Sequence, residues 1–293
     1  MTESFRFLIA ESESAPEREA RRESVGRSSG ETYVDLLRAL VPGAICDLVR
    51  PAEEGARAAG AGDIAGYDAV FLTGSPLHVY VDTPDVRRQL AFMRAVFASG
   101  TPSFGSCAGL QVAVAVAGGT VRPNRRGQEA GFAGGIVLTE AGRSHPLLAG
   151  RPPAYDAASI HSDEVETLPP GATLLSGNGM SHVQAAEVRF DRGVFWGVQY
   201  HPELPLSEIA GALRRQSEDI VKQGLAHDAE AVETYAAKLD LLNEDSGRRD
   251  IAWELGIGPE VAEAPRRQRE LRNFIAFLVK PTRAARRHPS DPR

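Results

Sequence analysis

Short apolar runs alternate with helix-forming segments through the first half of the chain, and that alternation restricts the fold more than any other feature. Phe5 to Ala10, Ile45 to Val49, Tyr67 to Thr73 and Pro102 to Ser106 each read as a strand. Between them, Glu31 to Leu40 stops at Pro42-Gly43 and reads as a helix. A second helix opens at Thr83-Pro84 and runs to about Ala98, with Val86, Leu90, Met93 and Phe97 at helical spacing. Ala108 to Ala117 follows as a third helix. Strands joined through helices pair in parallel, with the helices covering both faces of the sheet. The expectation is a doubly wound α/β domain.

The second half changes character. Gly135 to Thr139, Ala157 to Ile160, Ala172 to Ser176, Val183 to Phe190 and Gly193 to Gln199 read as strands separated by turn residues, some of them antiparallel, so the sheet is mixed. Leu204 to Lys222 reads as a helix. The expected division is a catalytic domain over residues 1–224 and a helical C-terminal appendage over 225–293, whose arginine- and proline-rich end from Arg283 is expected to be disordered. Glu11 to Gly30 is highly charged and poor in large apolar residues, and reads as a mobile loop, helical in part. Trp253, with Ile251, Leu255 and Ile257, reads as local core. Arg266, Arg267, Arg269 and Arg272 read as the solvated face of a packed helix.

A chain of 293 residues holds one sizeable domain plus an appendage. The net charge of −6 gives no electrostatic case for nucleic acid or an anionic membrane, and no apolar run is long enough to span a bilayer. No secretory signal is evident at the N-terminus, and the two cysteines, Cys46 and Cys107, suggest neither a disulfide framework nor a zinc site. A reducing cytoplasm is therefore the expected compartment.

Gly105-Ser106-Cys107-Ala108-Gly109 sits where a strand meets a helix. This is a nucleophile elbow with cysteine in place of serine. The glycines allow the tight turn, and the helix N-terminus that follows favours thiolate and offers the Ala108 amide to an oxyanion. Cys46, inside an apolar strand, reads as a small core hydrophobe.

Gly197 to Glu203 follows another apolar strand. His201 at that strand's end can reach a sulfur at the end of a neighbouring strand, take its proton and return one to a leaving amine. Glu203, two residues on, faces the same way in an extended stretch and can orient the imidazole.

Together these segments resemble the class I glutamine amidotransferases, whose signatures are similar to Gly105 to Gln111 and to His201-Pro202-Glu203. Thr73-Gly74-Ser75-Pro76 resembles the family's oxyanion loop, with Ser75 where many members have a second glycine. Gly118 to Val121 with Glu129 and Gly131, His161 to Val165, and Val183-Gln184-Ala185 follow in the family's order. The resemblance covers roughly residues 5 to 222, and looks closest to stand-alone relatives of the glutaminase part of GMP synthetase. It implies a flavodoxin-like fold, an oxyanion site near Gly74, Ser75 and Ala108, and a glutamine pocket bordered by Gln111, His161 and Ser162. No cofactor is implied.

The expected activity is glutamine hydrolysis, with ammonia passed to a separate synthetase chain; hydrolysis of γ-glutamyl peptides or amides is the alternative, since the triad alone does not distinguish the two. A non-enzymatic sensor on the same fold would not need all three residues. Gly60 to Ala65 does not follow a strand, so it is no dinucleotide loop. The three lysines, Lys222, Lys238 and Lys280, lie in no phosphate-binding loop. His78, His145, His182, His227 and His288 read as surface or loop residues.

Overall fold

The computed structural model describes residues 4–56 and 59–287. In chain order the strands are β1 Arg6–Ala10, β2 Ile45–Val49, β3 Ala69–Leu72, β4 Ser103–Ser106, β5 Thr120–Pro123, β6 Glu129–Leu138, β7 Ala154–His161, β8 Asp163–Thr167, β9 Ala172–Gly177, β10 Ala185–Phe190 and β11 Gly193–Val198. Nine form one sheet in the order β2-β1-β3-β4-β11-β10-β9-β6-β7. The first five of that order pair in parallel, and the rest antiparallel. The expected doubly wound, mixed, flavodoxin-like sheet is present. β5 and β8 make a separate antiparallel pair that the sequence pattern did not reveal.

Side-chain alternation divides the core. In β1, Phe7 and Ile9 join one apolar cluster and Leu8 and Ala10 the other, and in β3 Phe71 and Leu72 divide the same way. One face is covered by α2 (Ser29–Leu40), through Tyr33 and Leu37. The other is covered by α4 (Pro84–Ser99) and α5 (Ala108–Val116), through Met93, Val96 and Leu110. A short helix, α3 (Ala61–Ile64), precedes β3, and another, α6 (Glu140–Ser144), follows β6.

The segment read as a mobile loop, helical in part, is largely helical. It forms α1 (Ala15–Val25), which starts with Glu17 accepting from the Ser14 amide at 2.7 Å and ends at Gly26 in the left-handed region, φ 79°. Its inward face is charged instead of apolar. Arg18 is buried against Glu53 and donates to the Glu13 carbonyl at 2.9 Å. A helix that buries paired charges has no apolar stripe to read.

The expected helix from Leu204 to Lys222 is two helices, α7 (Leu206–Arg215) and α8 (Ser217–Lys222), broken at Gln216. The chain beyond is helical: α9 (Ala229–Glu244), α10 (Arg249–Glu254), α11 (Pro259–Ala262), α12 (Ala264–Arg267), α13 (Arg269–Phe274), a π-helical turn (Ile275–Val279) and α14 (Lys280–Arg287). Residues 283–287, expected to be disordered, thus lie in a helix, and 288–293 fall outside the described residues. Leu271, Phe274, Ile275 and Val279 insert into the same cluster as Phe7 and Phe71, so the last helices complete the face begun by α2. Arg151, buried before β7, is held there by both carboxylate oxygens of Glu270 at 2.7 and 2.8 Å and by Glu260 at 2.7 Å.

Trp253 is 84% exposed, so it is not the local core its sequence suggested. Arg267, expected on a solvated face, is buried and donates to the Leu204 carbonyl at 3.0 Å; burial lowers its pKa to about 10. Cys46 is only half buried because β2 is the sheet's edge. Among the described residues no helix is long and apolar enough to cross a membrane.

Candidate active site

The parallel pairing of β4 with β11 sets Ser106 beside Val198, so both strands end at the same edge of the sheet. The next residues continue the alignment: the Cys107 amide donates to the Val198 carbonyl at 2.9 Å, and the His201 amide to the Ala158 carbonyl at 2.7 Å. This is the C-terminal edge of the parallel strands, where ligands bind in open α/β sheets.

Cys107 has φ 51° and ψ −112°, an outlier for a residue with a side chain, and is the residue from which α5 starts. The flanking glycines are required by space. A Cβ on Gly105 would lie 2.9 Å from the Gly109 carbonyl carbon, and one on Gly109 would lie 2.7 Å from the Leu72 carbonyl oxygen. The sharp strand-to-helix turn expected of an elbow is therefore formed, and it packs directly on β3.

His201 stands beside Cys107: a Cβ on Gly74 would meet both side chains, and both line the same cavity. On its other side, its Nδ1 donates to Glu203 Oε1 at 2.7 Å. The same Glu203 oxygen accepts from Ser106 Oγ at 2.9 Å, and Ser106 Oγ lies 2.8 Å from the Tyr33 hydroxyl. Burial alone would lower the His201 pKa. The Glu203 charge, followed by the hydrogen bonds with Cys107 and Glu203, overcomes burial and raises it to about 10. At neutral pH the ring is an imidazolium beside the sulfur. Burial pushes the Tyr33 phenol well up, and the Glu203 charge adds to the effect.

Gly74 meets this group from the end of β3. A Cβ there would lie 2.7 Å from His201 Cε1 and 3.5 Å from the Cys107 Cβ. Gly74, Ser75, Cys107, Gln111, His161, Ser162, His201 and Glu203 all line one cavity of about 490 Å³. Ala108, singled out in the sequence for its backbone amide, has a buried side chain and is the first residue of α5, directly after Cys107. Gln111 Nε2 donates to the Asp163 carbonyl at 3.4 Å and to Gln199 Oε1 at 3.3 Å. His161 bridges the Asp163 carbonyl, 2.8 Å from Nδ1, and Glu129, 2.8 Å from Nε2. Burial opposes ionisation of Glu129, but His161 and the amides of Asn178 and Gln184 outweigh it and hold the carboxyl below its ordinary range.

Several cavity residues were not legible in advance. Glu13 lies just before α1, which supplies Glu17 and Arg21; α7 and α8 supply Glu208, Arg215 and Asp219. Arg21 joins the two sides, paired with Glu13 at 3.3 Å and with Glu208. His78, read as a surface histidine, lies on the rim and contacts Asp163 at 2.6 Å. His145, read the same way, is mostly buried, 3.2 Å from Glu187 and edge-on to Trp196.

A family model, that of the class-I glutamine amidotransferases, matches residues 38–217. The chain belongs to this family. As a class-I glutamine amidotransferase family member it is similar, at 34% identity over 96% of its length and 95% of the other chain, to a γ-glutamyl-L-1-hydroxyisopropylamide hydrolase of a Pseudomonas species. It is 30% identical to a glutamine-hydrolysing GMP synthase of Thermomicrobium roseum over half of its own length, but over only 25% of that protein. With a glutamine-hydrolysing GMP synthase subunit of Methanoculleus marisnigri it shares 34% identity over 36% of itself and 53% of that protein. Among solved structures, a glutamine amidotransferase of Thermotoga maritima shares the fold with a TM-score of 0.64 at 17% identity, covering 95% of this family member and 99% of that chain.

Proposed function

We propose that this chain hydrolyses the amide bond of a γ-glutamyl compound whose leaving group is a substituted amine, through Cys107, His201 and Glu203. The observation that carries the reading is the convergence of Cys107, His201 and Glu203, with His201 Nδ1 donating to Glu203 at 2.7 Å, inside a cavity of about 490 Å³. Sites of roughly 300–1,000 Å³ accept drug-sized ligands, so there is room beyond a γ-glutamyl group. The end-to-end likeness to a γ-glutamyl amide hydrolase supports the same substrate class.

In this scheme the Cys107 sulfur attacks the γ-carbonyl carbon, and the oxyanion is received by the amides of Ser75 and Ala108. Imidazolium His201 gives its proton to the departing nitrogen, leaving a γ-glutamyl thioester and a free amine. Water then attacks the thioester as His201 takes its proton, releasing glutamate and restoring the thiolate–imidazolium pair. Glu203 fixes the ring and its charge throughout. Gln111 and the His161-Ser162 segment border the acyl end of the cavity. A reactive lone thiol suits a reducing compartment such as the cytoplasm.

A second reading is glutamine hydrolysis with ammonia passed to a separate synthetase, which the GMP synthase relatives favour. Both substrates offer the same acyl group, so only the leaving group separates them. The test is the release of glutamate, ammonia and free amine from glutamine and from γ-glutamyl derivatives of small amines, amino alcohols and amino acids. A kcat/KM for substituted amides well above that for glutamine is expected. A clear preference for glutamine would replace the first reading with the second.

A further inference from the structure

The loop from Thr73 to Thr83 carries Gly74 and Ser75 from the end of β3 over the elbow. Its apolar anchors are Leu77 and Val79, which pack on the cluster around Leu8 and Met93, while Tyr80 and Val81 stand 43% and 44% exposed. Polar contacts hold its far end. His78 Nδ1 lies 2.6 Å from Asp163 Oδ2, and the Tyr80 hydroxyl donates to Asp163 Oδ1 at 3.1 Å. The two side chains also meet each other, with the Tyr80 hydroxyl 3.1 Å from His78 Nδ1. Asp163 itself is buried, and its backbone carbonyl receives His161 Nδ1 and Gln111 Nε2. One residue thus joins three walls of the cavity: the oxyanion loop through its carboxylate, and the nucleophile helix and the β7–β8 turn through its carbonyl.

We propose that Asp163, with His78 and Tyr80, is a positioning clasp that sets the oxyanion loop against Cys107. The inference rests on the amidohydrolase reading, because the loop's task is to hold an amide where charge develops on the carbonyl oxygen. A Ser75 amide displaced by about 1 Å weakens transition-state stabilisation and leaves ground-state binding nearly unchanged. Within the loop, the Leu77 amide donates to Ser75 Oγ at 3.3 Å, and the Val81 amide to the His78 carbonyl at 3.0 Å, so movement at His78 is passed along a short turn to Ser75. Burial, with the Asp163 charge, pushes the Tyr80 phenol up to about 12, so its hydroxyl keeps the proton it donates.

The experiment compares inactivation of the full chain by a diazoketone analogue of glutamine with alkylation by iodoacetamide. The first needs a polarised carbonyl, and the second needs only the thiolate. In a His78→Ala/Tyr80→Phe double variant, diazoketone inactivation should slow by at least about tenfold while iodoacetamide labelling of Cys107 stays at the wild-type rate. His78→Asn, paired with native Tyr80, keeps a donor near the Nδ1 position and should restore inactivation to within about twofold. On an accepted substrate, the double variant should lose kcat with little change in KM. Equal inactivation of the double variant and wild type would overturn the clasp, as would a loss that His78→Asn does not recover. Equal slowing of both reagents would also overturn it, since that marks a damaged elbow. If the diazoketone fails to label wild-type Cys107 at all, the amidohydrolase reading itself is the one that falls.

Discussion

The Tyr200 hydroxyl donates to Glu270 at 2.9 Å, linking the residue just before His201 to a helix 70 positions later in the chain. Glu270 is fully buried and also carries the bidentate contact to Arg151. Tyr155 completes the group, 3.0 Å from the Tyr200 hydroxyl and stacked under the Arg151 guanidinium. Removing the Glu270 carboxylate strips buried Arg151 of its bidentate partner and leaves Glu260 as its remaining ion pair. We expect Glu270→Ala to lower stability by about 3–5 kcal/mol. An Arg151→Met/Glu270→Met pair should recover most of that loss, which a double-mutant cycle of thermal or denaturant unfolding measures. Truncation after Gly224 removes Phe274 and Leu271 from the main core as well, and the shortened chain should fail to melt cooperatively.

Cys107→Ala should abolish hydrolysis of every γ-glutamyl substrate while circular dichroism and melting stay near wild type. Glu203→Gln should retain residual activity, down by about 10³-fold or more, because the nucleophile and the base remain. Wild-type turnover in Cys107→Ala would remove the central claim.

The alkaline limit of activity follows from His201. Its folded pKa of about 10 stands above the ordinary value of 6.5, so the stability gained from the charged ring is complete below pH 6.5 and is lost as pH rises through about 10. The proton that the leaving amine needs disappears over the same range. We expect the alkaline limb of kcat/KM near pH 10, shifted down by Glu203→Gln because the Glu203 charge is the largest contribution raising the pKa. An unshifted limb would show that another group sets it.

Brief iodoacetamide treatment should label Cys107 before Cys46. Cys46 is more open, but burial still pushes its thiol pKa up, and it has no imidazolium beside it. Peptide mass spectrometry reads the order, and preferential labelling of Cys46 would contradict it.

Gly74→Ala places a methyl 2.7 Å from the His201 ring. The imidazole must move off its line between Cys107 and Glu203, so kcat should fall about 10²-fold with a melting temperature close to wild type. Kinetics beside a thermal melt separates that result from simple unfolding.

The parallel half of the fold was legible because Phe7, Leu8, Val70 and Phe71 belong to strands buried on both faces, which read as continuous apolar runs. The Cys107, His201 and Glu203 positions were legible because glycines and a strand end are local signals. What escaped was held by charge or by distance in sequence. Arg18 and Arg21 make α1 a wall of the cavity with no apolar periodicity. Residues 129–134 of β6 were missed because Gly131, Gly134 and Gly135 interrupt the strand pattern, and the register shifts between Ala133 and Ile136. Trp253 was misplaced because side-chain hydrophobicity does not say which way a short helix faces.

Arg151 and Glu270 are 119 positions apart. At about 5–20 residues added per second, a ribosome that has placed the arginine works for roughly 6–24 seconds before its carboxylate partner exists. Tyr200 is added part-way through that interval and waits a further 70 positions, roughly 4–14 seconds, for the same carboxylate. The network behind His201 is therefore completed only by the translation of the last helices, after Cys107, His201 and Glu203 have all been made.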